Sequence, residues 1–238
     1  MTPRHALMAT IGPLLAATAL QAPAATMTLT GWTYGNGNNV SATTPAYNGQ
    51  GGGFSGTLAG APGFDGPIST YCVELSENFA FGTAYPEYTV VAAESYFSAA
   101  RFQVLSRLIS HVFGNGLFDS TAAAYKDDLS TSLQLAIWNT VYDTDVTLAT
   151  GSFNDLGTYG SNAGSNFADA NELLAASQLP GQAIGYRLYV LKSVSAPGVT
   201  GHQDQLFWQA VPEPASLSLA AVALAAAGLV RRWRVGGR

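Results

Sequence analysis

Glu94-Ser95-Tyr96-Phe97-Ser98-Ala99-Ala100-Arg101-Phe102-Gln103-Val104-Leu105-Ser106-Arg107-Leu108-Ile109-Ser110-His111-Val112-Phe113 is the stretch whose reading decides the fold. Its apolar positions Phe97, Ala100, Val104, Leu108 and Val112 recur every three or four residues, and Leu105 and Ile109 widen the stripe. That spacing predicts an amphipathic helix, and Gly114-Asn115-Gly116 stops it. Upstream the period is different. Met27-Thr28-Leu29-Thr30-Gly31-Trp32 alternates and is rich in β-branched and aromatic types, as a strand is. Gly53–Leu58, Ile68–Leu75 and Tyr88–Ala92 read as further strands, with a loop holding Gly82 and Pro86 before the last. The dense glycines of 49–63 suit hairpin turns. No Gly-Lys-Ser/Thr follows them, which excludes a nucleotide phosphate loop.

Downstream, a second helix is expected over Ser120–Asp143, broken near Asp128, with Ser120 or Asp128 as N-cap of its halves. Ala136, Ile137, Thr140 and Val141 lie on one side of it. A third helix is expected over Ala168–Ser177 with Asn166 as cap. Gly185–Val194 and Gln203–Ala210 return to strand character. The fold class expected is therefore α+β, an antiparallel, sandwich-like sheet with two or three helices inserted in the middle. No internal repeat is visible.

The two ends read as addresses. In residues 1–24, Arg4 and His5 precede the small-apolar run Ala6–Leu20 and the cleavage-like Ala22-Pro23-Ala24. This is the pattern of a secretory signal peptide, which places the start of the mature chain near Ala25 and makes the Sec export machinery a partner. Residues 211–238 carry Pro212-Glu213-Pro214, then the apolar Ala215–Val230, then Arg231, Arg232 and Arg234. Sixteen apolar residues are short for a bilayer span of about 20, and the basic cluster would stay cytoplasmic. This tail resembles the PEP-CTERM sorting signals of Gram-negative bacteria. The resemblance implies an exosortase as partner, transient inner-membrane insertion through the C-terminal helix, and removal of the tail near the motif. It also implies delivery to the cell surface or extracellular matrix.

Residues 25–210 remain as the extracellular domain. The chain has 15 Asp+Glu against 10 Lys+Arg, a net charge of −5. The middle keeps Arg101, Arg107, Lys126, Arg187 and Lys192 as its basic residues against all the acids but Glu213, a balance of −9. Nucleic acid is excluded as a partner, since neutralising phosphates needs clustered Lys and Arg. The composition, 47% hydrophobic and 11% aromatic, is that of a chain able to fill a core.

Cys72 is the single cysteine of the chain, so an intrachain disulfide is impossible. Four readings stand for it: a small buried hydrophobe, an intermolecular disulfide, a catalytic thiol served by His111 or His202, or half of an internal thioester. For the last, a thiolate attacks a glutamine side-chain amide and expels ammonia, leaving an activated acyl group that an amine or hydroxyl captures. Such chemistry needs Cys and Gln held together in a dry pocket. Gln134 offers the amide, within the apolar Leu133-Gln134-Leu135-Ala136-Ile137-Trp138. Tyr71-Cys72-Val73-Glu74 and Gln134-Leu135-Ala136-Ile137-Trp138 together resemble the thioester domains of bacterial surface adhesins, although that family usually has Thr where Leu133 stands. The resemblance implies Cys72 as thiol donor and Gln134 as acyl donor, with Tyr71, Ala136, Ile137 and Trp138 forming the pocket. The partner it implies is an amine- or hydroxyl-bearing surface or matrix polymer, coupled once. On this reading the protein is not an enzyme; a structural matrix protein with a buried Cys72 and a secreted polysaccharide-acting enzyme are the alternatives.

No cofactor or metal is expected. Asp143, Asp145 and Asp155 lack the loop glycine and terminal Glu of an EF-hand and read as solvated acids. His111 and His202 lack zinc-ligand spacing. Gln203-Asp204-Gln205 reads as the polar start of the last strand. Glu74 and Glu77 flank the cysteine and disfavour its thiolate.

Overall fold

A computed structural model describes residues 24–143, 145–153, 163–179, 184–194 and 201–211, with the backbone alone for 163–168. The signal segment, the sorting residues Pro212, Glu213, Pro214, Arg231, Arg232 and Arg234, Asp155 and the Asn166 side chain lie outside the described residues.

Among the described residues, eight strands precede and follow a helical insert. They are β1 Ala25–Trp32, β2 Asn38–Thr43, β3 Ala46–Gly51, β4 Phe54–Ala59, β5 Gly66–Cys72, β6 Ala84–Ala92, β7 Tyr186–Ser193 and β8 Gln205–Ala210. Six close into an antiparallel barrel in the order β1-β4-β5-β8-β7-β6, while β2 and β3 form a separate hairpin. The fold class is α+β, and the sheet closes on itself instead of stacking as a sandwich. Closure removes exposed strand edges. Alternation builds it: in β1, Ala25, Met27 and Leu29 are fully buried while the threonines between them are not. A bulge between Leu29 and Gly31 bends β1 where it crosses β4. There Gly56 lies so close to Thr28 O and the Leu29 Cα that a Cβ would collide with both.

The helices lie between β6 and β7: α1 Ala93–Tyr96, α2 Ala99–Gly114, α3 Leu117–Ser120, α4 Lys126–Tyr142 and α5 Ala163–Ser177. The helix expected from Glu94 to Phe113 is interrupted at Phe97-Ser98, where Ser98 Oγ caps α2 by accepting from Arg101 N at 3.5 Å. The proposed caps of the second helix are not caps. Ser120 ends α3 and bonds back to Gly116 O and Leu117 O. Asp128 sits in the first turn of α4, its carboxylate accepting from Asn38 Nδ2 at 2.7 Å. The third helix starts earlier than expected, at Ala163.

α4 is buried on every side from Ser130 to Thr140. It packs against α2 and α5, against the β2–β3 hairpin, and against β5. A helix enclosed in this way has no solvent face, so its Ser, Thr, Gln and Asn must bond inward. Thr131 Oγ1 donates to Gly51 O and Ser130 Oγ accepts from Gly53 N, both at 2.8 Å, tying α4 to the start of the barrel wall.

Candidate functional site around Cys72

Cys72 is the last residue of β5 and Gln134 the middle of α4, and the fold brings them into direct contact. The Gln134 amide lies along the main chain of Cys72: Cys72 N donates to Gln134 Oε1 at 3.0 Å, and Gln134 Nε2 donates to Cys72 O at 2.8 Å. The β4–β5 ladder stops at Phe54↔Thr70. Beyond it the Gln134 amide does for Cys72 what a further β4 peptide group would do. Gln134 is fully buried.

The thiol has other partners. Cys72 Sγ donates to Gln203 Oε1 at 2.8 Å and Gln205 Nε2 approaches Sγ at 3.7 Å. Gln203 is fixed in turn, its Nε2 donating to Glu74 O at 2.6 Å and its carbonyl accepting from Tyr88 Oη at 2.9 Å. Gln205 Oε1 accepts from Thr70 Oγ1 at 3.0 Å. Sequence reasoning took Gln203 and Gln205 for the polar start of a strand. Their spacing of two, which puts both on one face, is the signal that they point inward together.

Burial pushes the Cys72 thiol well above its ordinary range; the Gln205 amide opposes that shift and the Glu74 charge adds to it. The thiol is therefore protonated at rest. Behind it stands an acidic pair. Burial raises Glu74 to about 7, with the Asp204 main chain holding it back and the Asp204 and Glu77 charges adding to the rise. Asp204 is also raised by burial, against its bonds from Tyr96 Oη at 2.7 Å and Ser193 N at 2.6 Å.

An uncharged cleft of about 220 Å³ leads to the thiol. Trp32, Tyr47, Phe54, Phe79 and Phe81 line it, and Cys72 and Gln203, only 3% and 6% exposed, form its deep end. Four of these rings pack on one another, Trp32 on Phe54 at 4.7 Å and Phe54 on Phe79 at 4.8 Å, with Phe81 outermost at 42% exposed.

Of the expected pocket residues, Trp138 is fully buried, its ring 5.2 Å from that of Tyr47. A Cβ on Gly51 would lie 3.4 Å from Trp138 and 3.6 Å from Gln134 Cγ, so the end of β3 covers both. Ala136 and Ile137 are fully buried on α4. Tyr71 turns to the far side of β5, its hydroxyl 3.1 Å from Ser130 Oγ. His111 contacts Asn115, and His202 contacts Glu87 at 3.0 Å; among the described residues neither serves the thiol. Among the described residues no group of three or more His, Cys, Asp or Glu is placed to hold a metal ion.

Residues 210–234 match the PEP-CTERM protein-sorting motif. That motif marks an exported, cell-surface protein of Gram-negative bacteria processed by an exosortase. No curated protein and no solved structure matches the chain. Among the described residues no helix is long and apolar enough to cross a membrane.

Proposed function

We propose that this exported protein attaches itself covalently, once, to a surface or matrix partner through a thioester between Cys72 and Gln134. The observation that carries the reading is the Gln134 amide held against Cys72, its carbonyl oxygen accepting from the Cys72 N–H. That N–H polarises the carbonyl and faces the oxygen on which negative charge would develop, in a site with little water. In the forming step Sγ bonds to Gln134 Cδ, the Cδ–Nε2 bond breaks, and the thiol proton leaves on ammonia. In the capture step an amine or hydroxyl of the partner attacks Cδ, the Sγ–Cδ bond breaks, and the partner's proton returns to the thiol. Each molecule reacts once, so the protein is an adhesin-like coupler and not an enzyme. The aromatic cleft gives the partner its approach. Sorting would follow insertion of the C-terminal apolar run in the inner membrane and cleavage near Pro212-Glu213-Pro214.

A second reading has its own support: the thiol hydrogen is already taken by Gln203. On that reading Cys72 is a reduced core residue of a structural matrix protein. Intact mass of the exported protein separates the two. The coupling reading expects a wild-type mass lighter by one ammonia, with Cys72→Ala and Gln134→Ala both at full mass. A full wild-type mass with one alkylatable thiol after unfolding, in protein never exposed to amines or alkaline pH, refutes it.

A further inference from the structure

The cleft above Cys72 is built by separate segments of the chain. β1 supplies Trp32, the β2–β3 hairpin supplies Tyr47 and Gln50, and the loop between β5 and β6 supplies Asn78, Phe79 and Phe81. Much of this lining is fixed by the fold. The six-membered ring of Trp32 lies against two glycines: a Cβ on Gly37 would collide with it, and one on Gly52 would stand 3.3 Å away. Tyr47 Oη donates to Gln50 O at 2.7 Å, and at the deep end Cys72 Sγ is bonded to Gln203 Oε1. Gln50 and Asn78 differ from these. Both are exposed, and neither side-chain amide has a hydrogen-bond partner among the described residues.

The lining selects its occupant. It holds no charged side chain, in a domain whose balance is −9. The domain therefore repels an anionic ligand, and the lining offers an ammonium no carboxylate. Nor do the rings make a cation cage, which turns several ring faces on one empty centre. Here the rings pack edge to face on one another. Trp32 meets Phe81 at 74°, Phe54 meets Phe79 at 81° and Phe79 meets Phe81 at 70°, with centroids 5.8, 4.8 and 5.4 Å apart. The result is a continuous apolar wall with two amides beside it, each carrying donors and an acceptor. A neutral pyranose ring matches both parts. Its C–H face lies on an aromatic surface, and the hydroxyls around its rim both donate and accept. At about 220 Å³ the cleft is smaller than the roughly 300–1,000 Å³ of drug-sized sites, which leaves room for one ring-sized unit.

We propose that this cleft is a reversible binding site for a single neutral pyranose unit, seated on the Trp32–Phe81 wall and oriented by Gln50 and Asn78. The site does not depend on the coupling chemistry, since stacking and hydrogen bonding need no thioester. A seated sugar would also bring hydroxyls to the end of the cleft where Cys72 lies, which is where coupling needs its nucleophile.

The test uses the exported wild-type protein, isotope-labelled and titrated with the methyl glycosides of glucose, galactose, mannose and rhamnose. The Trp32 indole N–H resonance, identified by its loss in Trp32→Phe, should shift saturably with at least one of them, at about millimolar affinity. The resonance of Trp208, which lies outside the cleft, should stay in place. Saturation transfer to the glycoside gives the same affinity without that assignment. Dilution should reverse the shift; intact mass is read separately, so a failure of coupling leaves this result standing. A methyl glucuronide and tetramethylammonium should each bind about tenfold more weakly or worse. Phe81→Ala and Asn78→Ala, both at exposed positions, should each weaken binding about fivefold or more. No saturable signal with any of the four glycosides, a preference for tetramethylammonium or the glucuronide, or an affinity unchanged in both variants overturns the proposal.

Discussion

Replacing Gln134 by Leu keeps the volume of the side chain and removes its amide. The Cys72 N–H and C=O then lose their partners at a position buried from water. Each unpaired buried group costs about 1–3 kcal/mol, so the variant should lose about 2–6 kcal/mol, near 4 at the centre. The measurement belongs in a Cys72→Ala background, where the amide cannot be consumed, by urea unfolding of both chains. Gln134→Glu refines it. Protonated, the carboxyl accepts from Cys72 N and donates to Cys72 O; ionised, it is a buried charge facing a carbonyl. Burial raises its folded pKa, so this variant should be most stable below the unfolded value near 4.3 and lose stability as pH rises towards the folded one. A Gln134→Leu cost under about 1 kcal/mol, or a Gln134→Glu chain whose stability does not fall between pH 4 and 7, would refute the idea that this amide completes the β5 ladder.

Gly56→Ala should lower the melting temperature by about 5 °C or more, because its Cβ would collide with Thr28 O and the Leu29 Cα across the β1–β4 pair. Gly31→Ala, whose Cβ meets nothing within 4 Å, should leave it unchanged. The Glu74–Asp204 pair predicts a pH dependence. Glu74, raised from 4.5 to about 7 in the fold, binds a proton more readily folded than unfolded. The domain should therefore be more stable near pH 5 than near pH 8, by about 1 kcal/mol once the half-exposed position is discounted. Thermal unfolding across that range should show the slope, and Glu74→Gln should flatten it.

How much of this was legible depended on which side of an element faced water. α2 has a solvent face, so its apolar stripe stood out in the sequence; β1 has one too, and its alternation was plain. α4 has none. Its buried Ser130, Thr131, Ser132 and Asn139 read as ordinary polar residues and masked both its start and its role as the centre of the domain. The β2–β3 hairpin, made largely of Asn, Ser, Gly and Thr with little apolar content, gave no alternation that would mark its strands, and only the glycines at its end stood out, as turn residues. Barrel closure was illegible for another reason. It rests on pairings such as Cys72↔Gln205, and no local pattern encodes a contact between residues so far apart. The same gap hid Gln203 and Gln205 as partners of the thiol. The proximity of Cys72 and Gln134 entered through a resemblance between short motifs, whereas the bonds from the amide to the Cys72 main chain appeared only in the folded chain.

The β5–β8 seam also sets a clock. Cys72 reaches its resting environment only when β8, the last strand of the barrel, docks beside β5. A chain emerging N-terminus first presents Cys72 and then Gln134 well before Gln203 and Gln205 arrive. Until then the thiol has neither of its two glutamine neighbours, and the cleft lacks Gln203 at its deep end. Closing so distant a seam is slow compared with forming α2 or the β2–β3 hairpin. Order of synthesis thus delays assembly of the buried thiol environment until the whole domain is available, whatever chemistry the thiol then performs.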